Sequence, residues 1–343
     1  ASREPRGHRG ARENRAHQPC RRGAGRSRAR HAEGPARAGA AGISHIVLGT
    51  SYKAEVFEDY FAANDLGVRI SYAVETQPLG TGGAIRNAAE KLTCDPDEPV
   101  VIFNGDILTG LDIAGLIQQW RDANADVAIY LTRVDDPRAY GLVPTNDSGR
   151  VLAFTEKPTT PEEIVTDQIN AGCYIFRRSI IDRIPAGKVV SVERETFPEL
   201  LATDAVVIGV VDEGYWLDLG TPLAFAKGSA DLVLGNAPTP LVSQTGAALV
   251  ESTATVSTSA HLSSGTYVGH NATIGNKAVV TASVIYDGAQ IHEDAIVENS
   301  IIGSNTIIGA GTVVRDAVVS ENVNVGAGNE LINGVRVFPG TSI

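Results

Sequence analysis

The chain has 343 residues, 43% of them hydrophobic and 20% charged, with a formal net charge of -11. That length accommodates about two domains, and no apolar run approaches the roughly 18 residues of a membrane span, so no membrane anchor is expected. Cys20, Cys94 and Cys173 form no CxxC pair and are odd in number. Neither a disulfide framework nor a zinc site is indicated, which fits a reducing cytoplasm.

The charge is unevenly placed. Residues 1–40 hold 11 Arg, no Lys and 3 Glu, a net of +8, which leaves 18 basic against 37 acidic residues, or -19, for 41–343. An acidic body excludes nucleic-acid binding as its business, and any phosphate-handling pocket on it needs local cations or Mg²⁺. The first forty residues contain no Val, Ile, Leu, Phe, Tyr or Trp, so they cannot form a core. Arg at 3, 6, 9, 12 and 15 gives neither a helical stripe nor strand alternation. A solvated tail, an Arg-rich targeting or nucleic-acid segment, and a GC-rich stretch translated out of frame all fit; the third is favoured for reasons given below.

From residue 41 the character changes. ISHIVLGT (43–50) reads as a buried strand, AEVFEDYFAAN (54–64) as an amphipathic helix, VRISYAV (68–74) as a strand and GGAIRNAAEKL (82–92) as a helix. PVVIFNGD (99–106) is a strand, LDIAGLIQQWRDAN (111–124) a helix, and DVAIYLTRV (126–134), RVLAFTEKP (150–158) and INAGCYIFRR (169–178) are strand-like. VERETFPELLA (192–202), VVIGVV (206–211) and a helix from about Pro222 to Leu234 complete the domain, which closes near the GNAPTP linker at 235–240. Strand–helix alternation implies an α/β domain, its mostly parallel sheet covered on both faces. Beyond the linker, Val250, Val256, Leu262, Val268, Ile274 and Val280 are spaced six apart; the phase slips and resumes at Ile291 and Val297, at Ile302, Ile308 and Val314, and at Val325, Leu331, Val337 and Ile343. One inward aliphatic per six-residue rung, three rungs to a coil, is the pattern of a parallel β-helix.

ETQPLGTGGAIRN (75–87) is a glycine-rich turn feeding a helix. Gly80, Gly82 and Gly83 would let the backbone approach a base or phosphate, with amides near Ala84 facing the ligand, although an ordinary strand-to-helix connection has the same composition. Asn104-Gly105-Asp106 stands at the carboxyl end of a strand, where α/β sheets bind ligands. Asp106 could hold a metal there or merely cap a turn. Asp218 in GYWLDLGTP (214–222) is a second hard-oxygen ligand, and the pair suits Mg²⁺ completed by phosphate and water. Glu156 and Lys157 in FTEKP alternate in direction if extended; Lys157 could neutralise a phosphate and Glu156 accept sugar hydroxyls, or the two could be a surface ion pair. Asn170, followed by the small Ala171 and Gly172, leaves room for a ring, though buried Asn also has structural uses.

The ordered set ETQPLGTGGA, FNGD, YGLV (140–143), FTEKP, INAGCYIF, SVERETFPEL (191–200) and GYWLDLGTP resembles the sugar-phosphate nucleotidyltransferases, nearest to mannose-1-phosphate guanylyltransferases with a C-terminal left-handed β-helix. The resemblance covers 41–343. It implies a Rossmann-like nucleotidyltransferase domain over 41–237, a left-handed β-helix of hexapeptide repeats over 238–343, and attack of a sugar 1-phosphate oxygen on the α-phosphorus of a nucleoside triphosphate. It further implies that Asp106 and Asp218 bind Mg²⁺, that Lys157 meets the sugar phosphate, and that Glu156, Asn170 and Gly141 meet the sugar. The segment Gln77, Pro78, Gly80, Thr81, Gly82 and Gly83 would then hold base and ribose. GTP and mannose 1-phosphate are the expected substrates, and the flat faces of the β-helix suit a homo-oligomer. The family begins with a Gly-Gly-x-Gly-Thr-Arg-Leu loop and a Pro-Lys-Pro, neither of which occurs here; residues 1–40 occupy that span, which is why an out-of-frame reading is favoured. A catalytically inert regulatory or assembly subunit is the alternative expectation. An acyltransferase using His261, His270 or His292 lacks any accompanying signature.

Overall fold

A computed structural model describes residues 38–39, 41–50, 54–63, 67–239 and 245–343. The reading of residues 1–40 therefore lies outside the described residues, except that Ala38 is buried and accepts backbone bonds from Ala41 and Ile43. The ordered fold thus already includes Ala38, ahead of the expected start at 41.

The first half alternates as the sequence implies. It runs β1 (His45–Thr50), α1 (Ala54–Ala63), β2 (Arg69–Val74), α2 (Gly80–Ala89), β3 (Pro99–Phe103), β4 (Ile107–Thr109), α3 (Ile113–Asp122) and β5 (Val127–Arg133). It continues through β6 (Gly141–Leu142), β7 (Thr155–Glu156), β8 (Gln168–Arg177), α4 (Arg178–Ile181), α5 (Phe197–Leu201), β9 (Val207–Val211), β10 (Trp216–Asp218) and α6 (Pro222–Leu234). The sheet is mixed. Among the described residues of this half, only β1–β2 and β5–β9 pair in parallel, because the ten-residue β8 runs antiparallel between β3 and β5. The expected strand 150–158 shrinks to Thr155–Glu156: Arg150 and Val151 make only isolated bridges, to Ile208 and Thr145, and although Val151 and Phe154 pack into the core the exposed Leu152 joins no ladder.

Alternation along β5 and β8 divides the core in two. Val127, Ile129, Leu131, Tyr174 and Phe176 face one layer with Ile181, Phe197 and Leu200, whereas Ala128, Tyr130, Ala171, Cys173 and Ile175 face the other, covered by Leu116 and Trp120 of α3. Strand periodicity fixes this division, since successive side chains leave opposite faces of the sheet. Helix α3 starts where Asp112 accepts from the Gly115 amide at 3.1 Å. Helix α6 starts at Thr221-Pro222, whose hydroxyl accepts from Ala224, and stops at Gly235 with φ +84°. Both ends follow ordinary capping chemistry.

The second half is a parallel β-helix of three sheets with six, five and five strands. Val268, Ile274, Val280, Ile291, Val297, Ile302, Ile308, Val314, Val325, Leu331 and Val337 all point into one buried column. The phase slips have a structural cause. Inward Val280 is followed by inward Ile285, Val297 by Ile302 and Val314 by Val319, five residues on, and each short corner turns on one residue with positive φ: Ala282, Asn299 or Asp316. The six-residue corners at Ser264-Gly265 and Asn333-Gly334 use two such residues. Coils therefore repeat at 18 or 17 residues, as in Val250↔Val268 and Val284↔Ile301. Ser283 and Ser300 stack in the short corners, the Ser283 hydroxyl accepting from the Ser300 amide at 3.1 Å.

Candidate functional site

The glycine turn is built differently from its sequence reading. Next to the amides near Ala84 expected to face a ligand, those of Gly82 and Gly83 donate to the Val190 carbonyl at 2.8 and 3.3 Å, and the Val190 amide returns a 2.9 Å bond to the Leu79 carbonyl. A Cβ on Gly83 would lie 2.5 Å from the Lys188 carbonyl oxygen. Glycine is demanded here by the close approach of the 188–192 backbone. Helix α2 begins at Gly80 with φ +70°, while the Glu75 carboxylate accepts from the Leu79 amide at 3.1 Å. Gln77, Pro78, Gly80 and Thr81 are exposed and Gly82 and Gly83 are buried, so the surface offered to a ligand is 77–81.

The two aspartates come together. Strand β10 pairs antiparallel with β4 so that Asp218 stands opposite Ile107, and the Leu219 amide donates to the Asp106 carbonyl at 2.8 Å. Asp218 accepts from the Gly220 amide at 2.7 Å. The exposed Asp106 carboxylate has no hydrogen bond or ion pair among the described residues, so it does not cap the following turn. No group of three His, Cys, Asp or Glu side chains clusters among the described residues. Two neighbouring hard-oxygen donors fit Mg²⁺ as a partly open site, with phosphate oxygens and water supplying the remaining positions.

Beside them, the sequence-distant pair β6–β7 sets Gly141 opposite Glu156. A Cβ at Gly141 would meet the Glu156 carboxylate and the Phe154 ring at 2.8 Å, so glycine lets that carboxylate lie flat on the strand. Lys157 has φ +50° and donates its amide to the Tyr140 carbonyl at 3.1 Å. This breaks strand alternation, removing the constraint that Glu156 and Lys157 face opposite ways. They form no ion pair with each other, and the exposed Lys157 ammonium has no partner among the described residues. Burial, with the Glu193 carboxylate behind it, raises the Glu156 pKa above its usual value, and Lys157 and Arg194 oppose the shift. Asn170 donates to the Tyr174 hydroxyl at 2.7 Å and accepts from the Gly172 amide at 3.0 Å. One amide hydrogen and one lone pair remain for a ligand.

Two aromatic residues of this region escape sequence reasoning. Tyr140 and Trp216 pack edge to face at 5.6 Å, and the Trp216 indole donates to the Ala171 carbonyl at 2.9 Å. Burial and the Asp218 charge raise the Tyr140 phenol. These contacts tie the Asp218 strand to the Gly141 and Asn170 strands, and the only prior signal was their position inside the YGLV and GYWLDLGTP motifs.

Comparison with known proteins gives two family matches: nucleotidyl transferase over residues 36–233 and the GMPPB C-terminal domain over 244–343. The chain is 53% identical over 222 residues to the mannose-1-phosphate guanylyltransferase of Mycobacterium tuberculosis, covering 64% of this chain and 60% of that protein. It is 36% identical over 193 residues to the mannose-1-phosphate guanyltransferase of Yarrowia lipolytica, covering 55% and 52%. The alignments thus span 60% or less of these two curated relatives. Among solved structures, HddC from Yersinia pseudotuberculosis superposes with a TM-score of 0.48 at 29% identity, covering 57% of this chain and 81% of that one. No helix among the described residues is long and apolar enough to cross a membrane.

Proposed function

Because the chain belongs to the nucleotidyl transferase family, whose pattern covers more than half of it, we propose that it makes a nucleotide sugar from a nucleoside triphosphate and a sugar 1-phosphate. GTP and mannose 1-phosphate are the proposed substrates, in keeping with the names of its relatives. The observation that carries the reading is the meeting of four separate segments where the two-stranded β4–β10 sheet adjoins the β6–β7 edge of the larger sheet. Asp106 and Asp218 adjoin through β4–β10, Glu156 lies over Gly141 through β6–β7, and Tyr140 joins the two groups by its contact with Trp216.

In-line phosphoryl transfer asks a protein for position and charge neutralisation more than for covalent help. Lys157 carries a charge committed to no protein anion and can draw the sugar phosphate toward the triphosphate. Glu156, Gly141 and Asn170 orient the sugar, whose hydroxyls donate to the carboxylate. The exposed Gln77, Pro78, Gly80 and Thr81 contact the base and ribose. Asp106 and Asp218 would hold Mg²⁺, which supplies neutralisation of phosphate charge when bound. The attacking phosphate is already anionic, so no general base is required. Pyrophosphate release from GTP, with mannose 1-phosphate present or withheld, tests the proposal. Turnover requiring both substrates is expected; binding of both without turnover would favour the inert subunit.

A further inference from the structure

The SVERETFPEL segment carries a carboxylate that the proposed reaction does not use. Val192–Thr196 forms a π-helical turn against β7, an irregularity that recurs at functional sites. Within it, Glu193 Oε2 accepts from Thr81 Oγ1 at 2.7 Å and from Ser191 Oγ at 2.8 Å. Thr81 Oγ1 in turn accepts from the Val192 amide at 2.9 Å. The Thr81 hydroxyl proton is thereby committed to Glu193, and the Val192 amide uses a lone pair of the same oxygen. Ser191 Oγ accepts from the Arg194 amide at 3.2 Å, which holds the turn in the shape that presents Glu193. Glu193 Oε1 has no partner among the described residues, and the Glu193 charge acts on both Glu156 and Tyr174.

One carboxylate therefore holds the exposed loop on the nucleotide side and acts by its charge on the carboxylate of the packed sugar-side strand. We propose that Glu193 is a positioning residue that latches Thr81 and couples occupancy of the nucleotide loop to binding of the sugar phosphate beside Glu156. The inference rests on the nucleotidyltransferase reading given above. Glu156 and Glu193 are like charges on packed segments, β7 and the 192–196 turn, and a sugar hydroxyl that donates to Glu156 relieves their repulsion. The relief is available only while Glu193 is held by Thr81, so disturbing the loop alters the sugar site without any residue moving between them. Such coupling is reciprocal, each ligand changing the affinity of the other by one factor, ordinarily about 5- to 150-fold.

The test is calorimetric titration of mannose 1-phosphate into the full chain, with and without saturating GTP and with Ca²⁺ replacing Mg²⁺ to suppress turnover. Wild type, T81V, T81S, E193A, E193Q and the T81V/E193A double variant are compared. T81V and E193A are expected to reduce the coupling factor at least about fivefold, and the double variant to reduce it no further, because both remove one shared contact. T81S keeps the hydroxyl and is expected to retain the coupling, whereas E193Q keeps the acceptor oxygen for Thr81 but not the charge, so it is expected to hold the loop and still lose the coupling. Additive losses in the double variant, or coupling retained in full by E193Q, would overturn the proposal. A ligand-free arm keeps this separable from the functional reading: amide hydrogen exchange at Val192. Faster exchange in E193A but not in E193Q supports the latch even if neither ligand binds, and unchanged exchange in E193A overturns it. Wild type that binds neither ligand would refute the functional reading alone.

Discussion

Replacing Gly83 by alanine probes whether the glycine turn exists for the protein's own packing. The added Cβ would stand 2.5 Å from the Lys188 carbonyl oxygen and 2.8 Å from Leu79 Cβ, against a practical minimum of 3.0 Å. At least half an ångström must open between α2 and the 188–192 segment, and both neighbours are held by backbone or by the buried Leu79. The opening acts directly on the Gly83–Val190 bond, which is already long at 3.3 Å. Overpacking of this kind costs about 1–3 kcal/mol. In a domain near 200 residues, each kcal/mol moves the melting temperature by about 2–4 °C, so G83A should melt about 2–12 °C below wild type. G49A is the matched control: nothing lies within 4 Å of its new Cβ and Gly49 does not have positive φ, so it should be neutral or stabilising by up to about 1 kcal/mol. Differential scanning calorimetry reads both. A G83A protein that melts with wild type would refute the account of why these glycines are there.

Other substitutions separate binding from folding. K157A should leave stability within about 0.5 kcal/mol of wild type, since its ammonium has no partner among the described residues, while lowering turnover about 10²- to 10³-fold, measured by pyrophosphate release. Burial raises the folded pKa of Glu156, so the folded state favours the protonated carboxyl; the stability this lends is present below the ordinary carboxylate range and lost as pH rises through the folded value. E156Q should accordingly melt above wild type at neutral pH, with the gap closing on acidification, although its sugar phosphate affinity falls. In the β-helix, I302A empties a fully buried rung and should cost about 2–5 kcal/mol by denaturant titration.

Periodicity explains what was legible in this chain and where it ceased to be. A six-residue aliphatic repeat commits each coil locally, so most of the column could be read from the sequence alone. Ile285 and Val319 escaped because a five-residue corner shifts the phase, and the positive-φ residue there, Ala282 or Asp316, does not announce it, since Asn271 and Lys277 carry positive φ within six-residue rungs. Local pattern also located α6 to the residue. Strand direction was less legible, since β8 could equally have continued a parallel series; its partner residues on β3 lie 70 to 78 residues away in sequence, beyond any local signal. The same holds at the site. That Gly82 and Gly83 exist to meet Val190, more than one hundred residues later, is information carried by the fold and not by the turn itself.

The two halves of the molecule are joined through the site's own strand. Asp218 ends β10, and three residues later Thr221 opens α6. That helix lies on the outside of the first β-helix coils, where Val233 meets Tyr267 and Val284 in a small apolar cluster with Phe225, Leu249 and Tyr286. The approach is close enough that a Cβ on Gly265, at the first six-residue corner, would fall 2.4 Å from the Ala230 carbonyl oxygen. On the same turn of the helix, Tyr215, one residue before β10, donates its hydroxyl to Asp231 of α6 at 2.7 Å, and Lys227 pairs with the same carboxylate. Strand, helix and coil are therefore fastened together through the C-terminal half of α6. The three-residue β10 has too few ladder bonds to hold a carboxylate in place alone, and the rigidity of the β-helix is transmitted to Asp218 through this helix.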